Sequence, residues 1–200
     1  MKSIKLLPCL LLCSAYAASQ DTIVKNYPET NQRWEIIYED GKKTKETVYH
    51  KSGNSWMTAR YDSDNREDWR WYHKNGNLFF KATIIDNKIE GKYQIWYENG
   101  QLAEQLNFIA QIENGPAQFY HRNGQLAMRG NYRDGRMTEG WEFFDVNGKP
   151  ANGTWEWNFA AQPGKRRMMG ELKDGKRIGK WDYHTTAMGK EKKRFNEVLE

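Results

Sequence analysis

Cysteine is almost missing from this chain: there are two in 200 residues, Cys9 and Cys13. Both fall in the first 17 positions, so the rest of the chain has no disulfide and no thiol chemistry to draw on. Alanine and leucine are scarce, which leaves a helical bundle poorly supplied with core. No helical periodicity runs for any length. The longest apolar stretch, Leu6 to Cys13, is far shorter than the roughly 20 residues of a membrane span. Familiar catalytic signatures are missing as well: there is no Gly-x-Ser-x-Gly, no His-Glu-x-x-His and no phosphate loop. Hydrophobic residues make up 38%, below the ~45–50% of ordinary globular chains.

What the chain does hold is aromatic and punctuated. Trp, Tyr and Phe reach 14%, with nine Trp, and seventeen Gly recur at near-regular distances. The formal charge of +5 is uneven: residues 18–160 carry 18 basic and 20 acidic side chains, residues 161–200 carry 11 and 6. A pI near 9.0 thus describes a basic C-terminal end rather than a basic protein.

Residues 1–17 read as an export signal. Lys2 and Lys5 form a positive start, Leu6 to Cys13 an apolar stretch, and Ala15-Tyr16-Ala17 a small-x-small cleavage site. The expected destination is the periplasm or the medium. Lipid attachment at Cys13 is disfavoured by Leu12 before it.

The remainder is a strict repeat. Asn-Gly pairs stand at Asn75-Gly76, Asn99-Gly100, Asn123-Gly124 and Asn147-Gly148, a period of 24, and Tyr49 to Asn54 matches Tyr72 to Asn77 at five of six positions. A second series runs half a period out of phase: Asp40-Gly41, Asp64-Asn65, Asp86-Asn87, Ala110-Gln111 and Asp134-Gly135. Asn-Gly and Asp-Gly favour type I′ turns, whose two central residues need positive φ. Two turn series offset by half a period predict an all-β chain, an elongated antiparallel meander of hairpins with turns alternating between two edges. Gly53, Gly76, Gly100, Gly124, Gly135, Gly148 and Gly175 are the expected turn glycines. Such hairpins would pair His73 with Leu78, Tyr97 with Leu102 and His121 with Leu126.

Alternation sorts the strands into two faces. One carries Trp69, Trp71, Leu78, Phe80, Ala82 and Ile84, then Tyr93, Ile95, Tyr97, Leu102, Leu106 and Phe108, and further on Phe119, Met128, Tyr132, Trp141 and Phe143, with Glu104 as the exception. The other is polar, relieved once per unit by Tyr72, Trp96, Tyr120 or Phe144.

A recurring unit, Gly followed by a Trp/Phe-Tyr pair and then, eight residues after the Gly, by Asn-Gly-x-Leu, appears at Gly91 to Leu102 and Gly115 to Leu126, with the companion Asp-Gly-Lys-x-x-Gly at Asp174 to Gly179. It resembles the MORN repeat family in its bacterial variant, found in YwqK-like antitoxin proteins. The resemblance covers residues 34–189 and implies a stack of β-hairpins used for binding, with an antitoxin or immunity role. Residues 18–33 form a leader. Residues 150–168 interrupt the period and read as one more hairpin, in which Trp155, Trp157 and Phe159 alternate with polar residues around Gln162-Pro163-Gly164-Lys165. Residues 190–200 form a basic tail.

Three histidines, His50, His73 and His121, share one repeat position. Strands ~4.8 Å apart place equivalent residues of adjacent repeats ~9.6 Å apart, too far for one ion with ~2.0–2.1 Å bonds. No metal or cofactor is expected, and these histidines read as turn structure. The carboxylate pairs Glu98 with Glu104 and Glu142 with Asp145 read as solvated surface, because a general acid needs burial or a like charge to raise its pKa. No enzyme is expected. The binding candidates are the aromatics Trp69, Trp71, Tyr93, Tyr97, Phe119, Trp141 and Phe143, since large apolar patches mark binding sites. They point to a protein partner, a toxin or envelope protein, or alternatively to a glycan or anionic lipid surface. Export makes nucleic acid an unsuitable target for the basic end.

Overall fold

The computed structural model describes residues 19–27, 32–62, 65–160, 166–187, 190–191 and 195–199. The export signal and the turn at 162–165 lie outside these residues. The described chain is strand throughout, without helix.

The first sheet contains β1 (Gln20–Tyr27), β2 (Gln32–Glu39), β3 (Lys42–Tyr49), β4 (Ser55–Tyr61), β5 (Arg66–Tyr72), β6 (Leu78–Ile85), β7 (Lys88–Trp96), β8 (Leu102–Ile109), β9 (Ile112–Glu113), β10 (Gly115–Tyr120), β11 (Leu126–Arg133), β12 (Arg136–Met137) and β13 (Glu142–Phe143). The long strands pair in sequence order, all antiparallel, as an up-and-down meander requires, while the short β9 pairs with β8 and the short β12 and β13 both pair with β11. The leader supplies β1, which extends the edge of the sheet instead of lying over it. A second sheet is formed by β14 (Gly153–Asn158), β15 (Arg166–Lys173), β16 (Lys176–Ala187), β17 (Lys190–Glu191) and β18 (Phe195–Leu199). The interruption at 150–168 thus opens a new sheet, and the basic tail adds backbone pairs to it.

The two turn series differ. At one edge Asp40-Gly41, Asp86-Asn87, Ala110-Gln111 and Asp134-Gly135 all have positive φ at both residues, the type I′ geometry. At the other edge only the glycine is left-handed: Gly76, Gly100 and Gly124 have φ of 88°, 84° and 86°, while their Asn partners do not. There the Gly76 N–H donates to His73 O at 2.9 Å and the His73 N–H to Asn77 O at 2.8 Å. That is a type I turn closed by a left-handed residue in a bulge. The bulge corrects the expected register by one residue: Tyr72 pairs with Leu78, Trp96 with Leu102 and Tyr120 with Leu126.

These loops are tied to one another. Asn75 Nδ2 donates to Glu98 O at 2.8 Å, Asn99 Nδ2 to Arg122 O at 2.8 Å and Asn123 Nδ2 to Val146 O at 2.9 Å. His73 and His121 each place Nε2 2.9 Å from the carbonyl of Trp96 and Phe144, and the Tyr97 hydroxyl donates to Tyr120 O at 2.7 Å. A carbonyl only accepts, so each imidazole carries its proton on Nε2. At His73, Tyr97 and His121 the shared position is therefore a rung from one repeat to the next, whereas the His50 Nε2 is buried without a hydrogen-bond partner.

Past the bulge the alternation resumes, and one row of side chains runs straight across the sheet. Trp34 pairs with Val48, Val48 with Met57, Met57 with Trp71, Trp71 with Phe80 and Phe80 with Ile95. The row continues through Glu104, Phe119, Met128 and Phe143. A parallel row beside it runs Ile36, Glu46, Ala59, Trp69, Ala82, Tyr93 and Leu106.

The far half of this face is covered by the second sheet. Phe159 packs edge-on against Phe119 at 5.4 Å, Trp155 against Phe143 at 5.7 Å, and Trp181 lies 5.5 Å from Phe143. One buried cluster runs from Leu106 and Phe108 through Phe119, Met128, Trp141 and Phe143 to Met168, Leu172 and Trp181. The sheets are joined where the Phe143 N–H donates to Gly175 O at 3.0 Å and the Gly175 N–H to Ala151 O at 2.9 Å. Glu104, 3% exposed, is the one carboxylate in its row. It accepts the backbone N–H of Ala160, which gives the buried carboxyl a hydrogen-bond partner and pins the insertion to the repeat face.

Candidate functional site

The near half of the apolar face has no such cover among the described residues. Its floor is closed by small and branched side chains: Val48 and Ala59 are fully buried, Ala82 and Ile95 nearly so. On that floor stand Trp34, Trp56, Trp69 and Trp71, half-buried around Val48, Met57 and Ala59. The rings touch in sequence across the strands. Trp56 lies 5.8 Å from Trp71, Trp71 is 5.9 Å from Phe80, Phe80 is 5.2 Å from Tyr93, and Tyr93 is 5.1 Å from Phe108. Tilted and edge-on pairs like these add ~0.5–1.5 kcal/mol each beyond burial. They hold the aromatic row as a fixed surface.

Polar groups orient this surface. The Trp69 indole N–H donates to Glu67 at 2.6 Å. The Trp71 Nε1 is shielded from solvent and meets no acceptor. Near the β2–β4 side Glu46, 6% exposed, takes a 2.6 Å bond from Lys43 and a 2.8 Å bond from the Tyr61 hydroxyl, and the Lys43 ammonium sits 4.1 Å above the Tyr61 ring. Burial, opposed by Lys43 and reinforced by Glu46, pushes the Tyr61 hydroxyl up to about 12.

Where the open half meets the covered half there is a cavity of about 220 Å³, lined by Tyr93, Glu104, Phe108, Glu113, Phe159 and Arg166. Arg166 is bound to Glu113 at 3.0 Å with its guanidinium 4.6 Å above Phe159. Several of the C-terminal cations are used within the fold in this way. Lys176 approaches Glu142 at 3.6 Å, and Arg177 donates to the Tyr183 hydroxyl at 2.5 Å.

The residues proposed from sequence divide between the two halves. Trp69, Trp71 and Tyr93 lie half-buried on or beside the open surface. Tyr97 belongs to an edge loop, where its hydroxyl is bonded to the next repeat and Arg122 stands 4.9 Å over its ring. Phe119, Trp141 and Phe143 are 0%, 2% and 0% exposed. The second sheet seals them, so they serve as core and are removed from the candidate surface. Trp34 and Trp56 belong to it and were not singled out from sequence. Their signal was the alternation of Trp34 with Ile36 and the alignment of Ser55-Trp56 with Leu78-Phe79.

The carboxylate pairs are also separated in role. Glu98 stands in a turn, its backbone carbonyl capped by Asn75 and Asn77, whereas Glu104 is buried. The Arg129 guanidinium, 2.6 Å away, holds the Glu142 carboxyl below its usual range, and the backbone N–H of Lys149 does the same for Asp145. Both groups are thereby kept ionised, opposite to what a general acid requires.

An open antiparallel sheet of 24-residue hairpins, bonded loop to loop and aromatic on one face, defines this chain as a β-hairpin repeat protein. Three consecutive units, residues 68–86, 89–110 and 113–134, match the family described as MORN repeat variant, so this stretch of the sheet is built of repeats of that kind. A search of the curated proteins finds no match.

Proposed function

We propose that this protein is an exported, non-enzymatic binding module that holds a protein partner on the open aromatic half of its sheet, in an immunity or antitoxin role. One observation carries the reading. The same apolar face is sealed by the second sheet from Leu106 onward and left half-buried around Trp34, Trp56, Trp69 and Trp71. Trp and Tyr are the residues most enriched among interface hot spots. Here they stand on rigid strands with their rings already positioned, so little side-chain entropy is lost on binding. The ionised state of Glu142 and Asp145 and the internal use of Glu104 support a role without catalysis.

The test is binding of the purified protein to the products of neighbouring genes, followed by calorimetry. A complex is expected whose affinity falls at least about tenfold in Trp69→Ala, in a variant whose far-ultraviolet circular dichroism shows the sheet retained. If no neighbouring product binds, while cell-wall glycan or anionic vesicles sediment the protein and Trp69→Ala abolishes this, the surface takes a glycan or lipid instead. Sequencing of the secreted chain from Ala18 checks export.

A further inference from the structure

The outer edge of the first sheet is β1, and its chemistry is self-complementary. β1 pairs with β2 through eight consecutive residue pairs without a register shift, and among the described residues its other side pairs with nothing. It contains no proline, glycine or bulge of the kind that usually protects an edge, and Gln20 through Asn26 are exposed.

The ladder tells which backbone groups face outward. The Asp40 N–H donates to Ser19 O at 3.1 Å, so the pair Ser19 with Asp40 is hydrogen-bonded. Across the two-residue turn Asp40-Gly41, Glu39 pairs with Lys42, which points the Glu39 groups toward β3 and the Tyr38 groups toward β1. Hydrogen-bonded and non-hydrogen-bonded pairs alternate along an antiparallel ladder. Both observations therefore direct the N–H and C=O groups of Asp21, Ile23 and Lys25 inward to β2, and those of Gln20, Thr22, Val24 and Asn26 outward.

We propose that β1 is the docking edge for a second copy of this chain, paired antiparallel about a two-fold axis through Ile23. An axis between Ile23 and Val24 is excluded, because it would set inward-pointing groups against outward-pointing ones. An axis at Val24 sets Lys25 against Ile23, and one at Thr22 leaves much of the strand without a partner. The axis at Ile23 matches Thr22 with Val24 and Gln20 with Asn26, so every outward group gains a bond. It sets Asp21 against Lys25 of the second copy twice over. These are non-hydrogen-bonded pairs, whose Cα atoms approach to ~4.5 Å, so opposite charges meet at the closest spacing the sheet allows. A foreign strand would leave Asp21 and Lys25 uncompensated, which selects for the same chain. Asp21, Ile23 and Lys25 share the face of Tyr38, Ile36 and Trp34, so the pairing makes the open aromatic surfaces of two copies one continuous face.

Sedimentation of the full chain across a concentration series tests this. A dimer is expected. Asp21→Lys and Lys25→Asp, which each set like charges against one another twice, should each raise its dissociation constant at least about tenfold. The double variant D21K/K25D restores opposite pairs and should return to within about threefold of the original. Val24→Pro removes an outward N–H that β2 does not use, and should give a monomer whose melting temperature, unlike that of the original chain, does not rise with protein concentration. A chain that is monomeric throughout, a dimer that both single reversals leave unchanged, or a double variant that fails to recover would each overturn the proposal.

Discussion

Trp141 lies against Gly130 so closely that a Cβ added there would stand 2.3 Å from Cδ2 and Cε2 of the indole. Trp181 meets Gly170 in the same way, at 2.4 Å from its Cδ2. Both tryptophans follow their glycine by eleven residues, and both pairs lie in the covered half of the molecule. Elsewhere the same rows set Ala59 against Trp69 and Ala82 against Tyr93. A sheet this rich in rings packs by facing each large side chain with a small one.

Adding a single methyl at either glycine should be costly. Gly130→Ala and Gly170→Ala are expected to destabilise the fold by about 2–3 kcal/mol, the range of overpacked cores, because neither tryptophan has free space to retreat into. The midpoint of urea unfolding measures this. An unchanged midpoint would show that the indoles are not seated as described.

The turn glycines fail for a different reason. Gly100 and Gly124 have φ of 84° and 86°, a region β-branched residues avoid, so Gly100→Val and Gly124→Val should each cost about 1–3 kcal/mol. The loss should be larger at Gly124, where the added Cβ would meet Gln101 Oε1 at 2.7 Å, than at Gly100, whose nearest neighbour is 3.8 Å away. Melting temperatures of the two variants decide the order.

One turn is built from the wrong residues. Ala110 and Gln111 hold φ of 48° and 74°, where the repeat elsewhere uses Asp, Asn or Gly. Replacing the pair with Ala110→Asn and Gln111→Gly should stabilise the protein by about 1 kcal/mol, since left-handed strain of ~1–2 kcal/mol per residue is relieved. The bond from the Ala110 backbone N–H to the Glu90 carboxylate at 2.8 Å survives the exchange. Thermal unfolding provides the comparison.

Alkali should unfold the protein early. Tyr132 is buried, and desolvation pushes its hydroxyl well above 10, with Arg166 acting in the opposite direction; burial raises Tyr93 likewise. A raised folded-state pKa favours the protonated phenol in the native state. Its stabilisation is complete below about pH 10 and declines as pH climbs toward the folded-state value, by up to ~1.4 kcal/mol per pH unit for Tyr132. Denaturation midpoints between pH 9 and 12 should fall, and Tyr132→Phe should flatten the decline.

Much of this was legible because it is local. Alternation along a strand and a turn dipeptide every dozen residues depend only on neighbours in the chain, and they fixed the strands, the two faces and the aromatic row. The turn type at the Asn-Gly edge was not legible. Asn75, Asn99 and Asn123 each bond a carbonyl in the following repeat, and this contact from outside the hairpin accompanies the bulged loop and shifts the pairing by one residue. Trp69 and Trp71 could be placed on the aromatic face from alternation alone, but the same reasoning put Phe119, Trp141 and Phe143 beside them.

The amino-acid order by itself determined an antiparallel repeat sheet with one aromatic side, since side-chain period and turn chemistry act over a few residues. Only the tertiary structure decided which part of that side meets solvent. Burial is set by where the chain returns after residue 150. Glu104 receiving Ala160, and Gly175 bonding both Phe143 and Ala151, are contacts between segments that no local pattern connects.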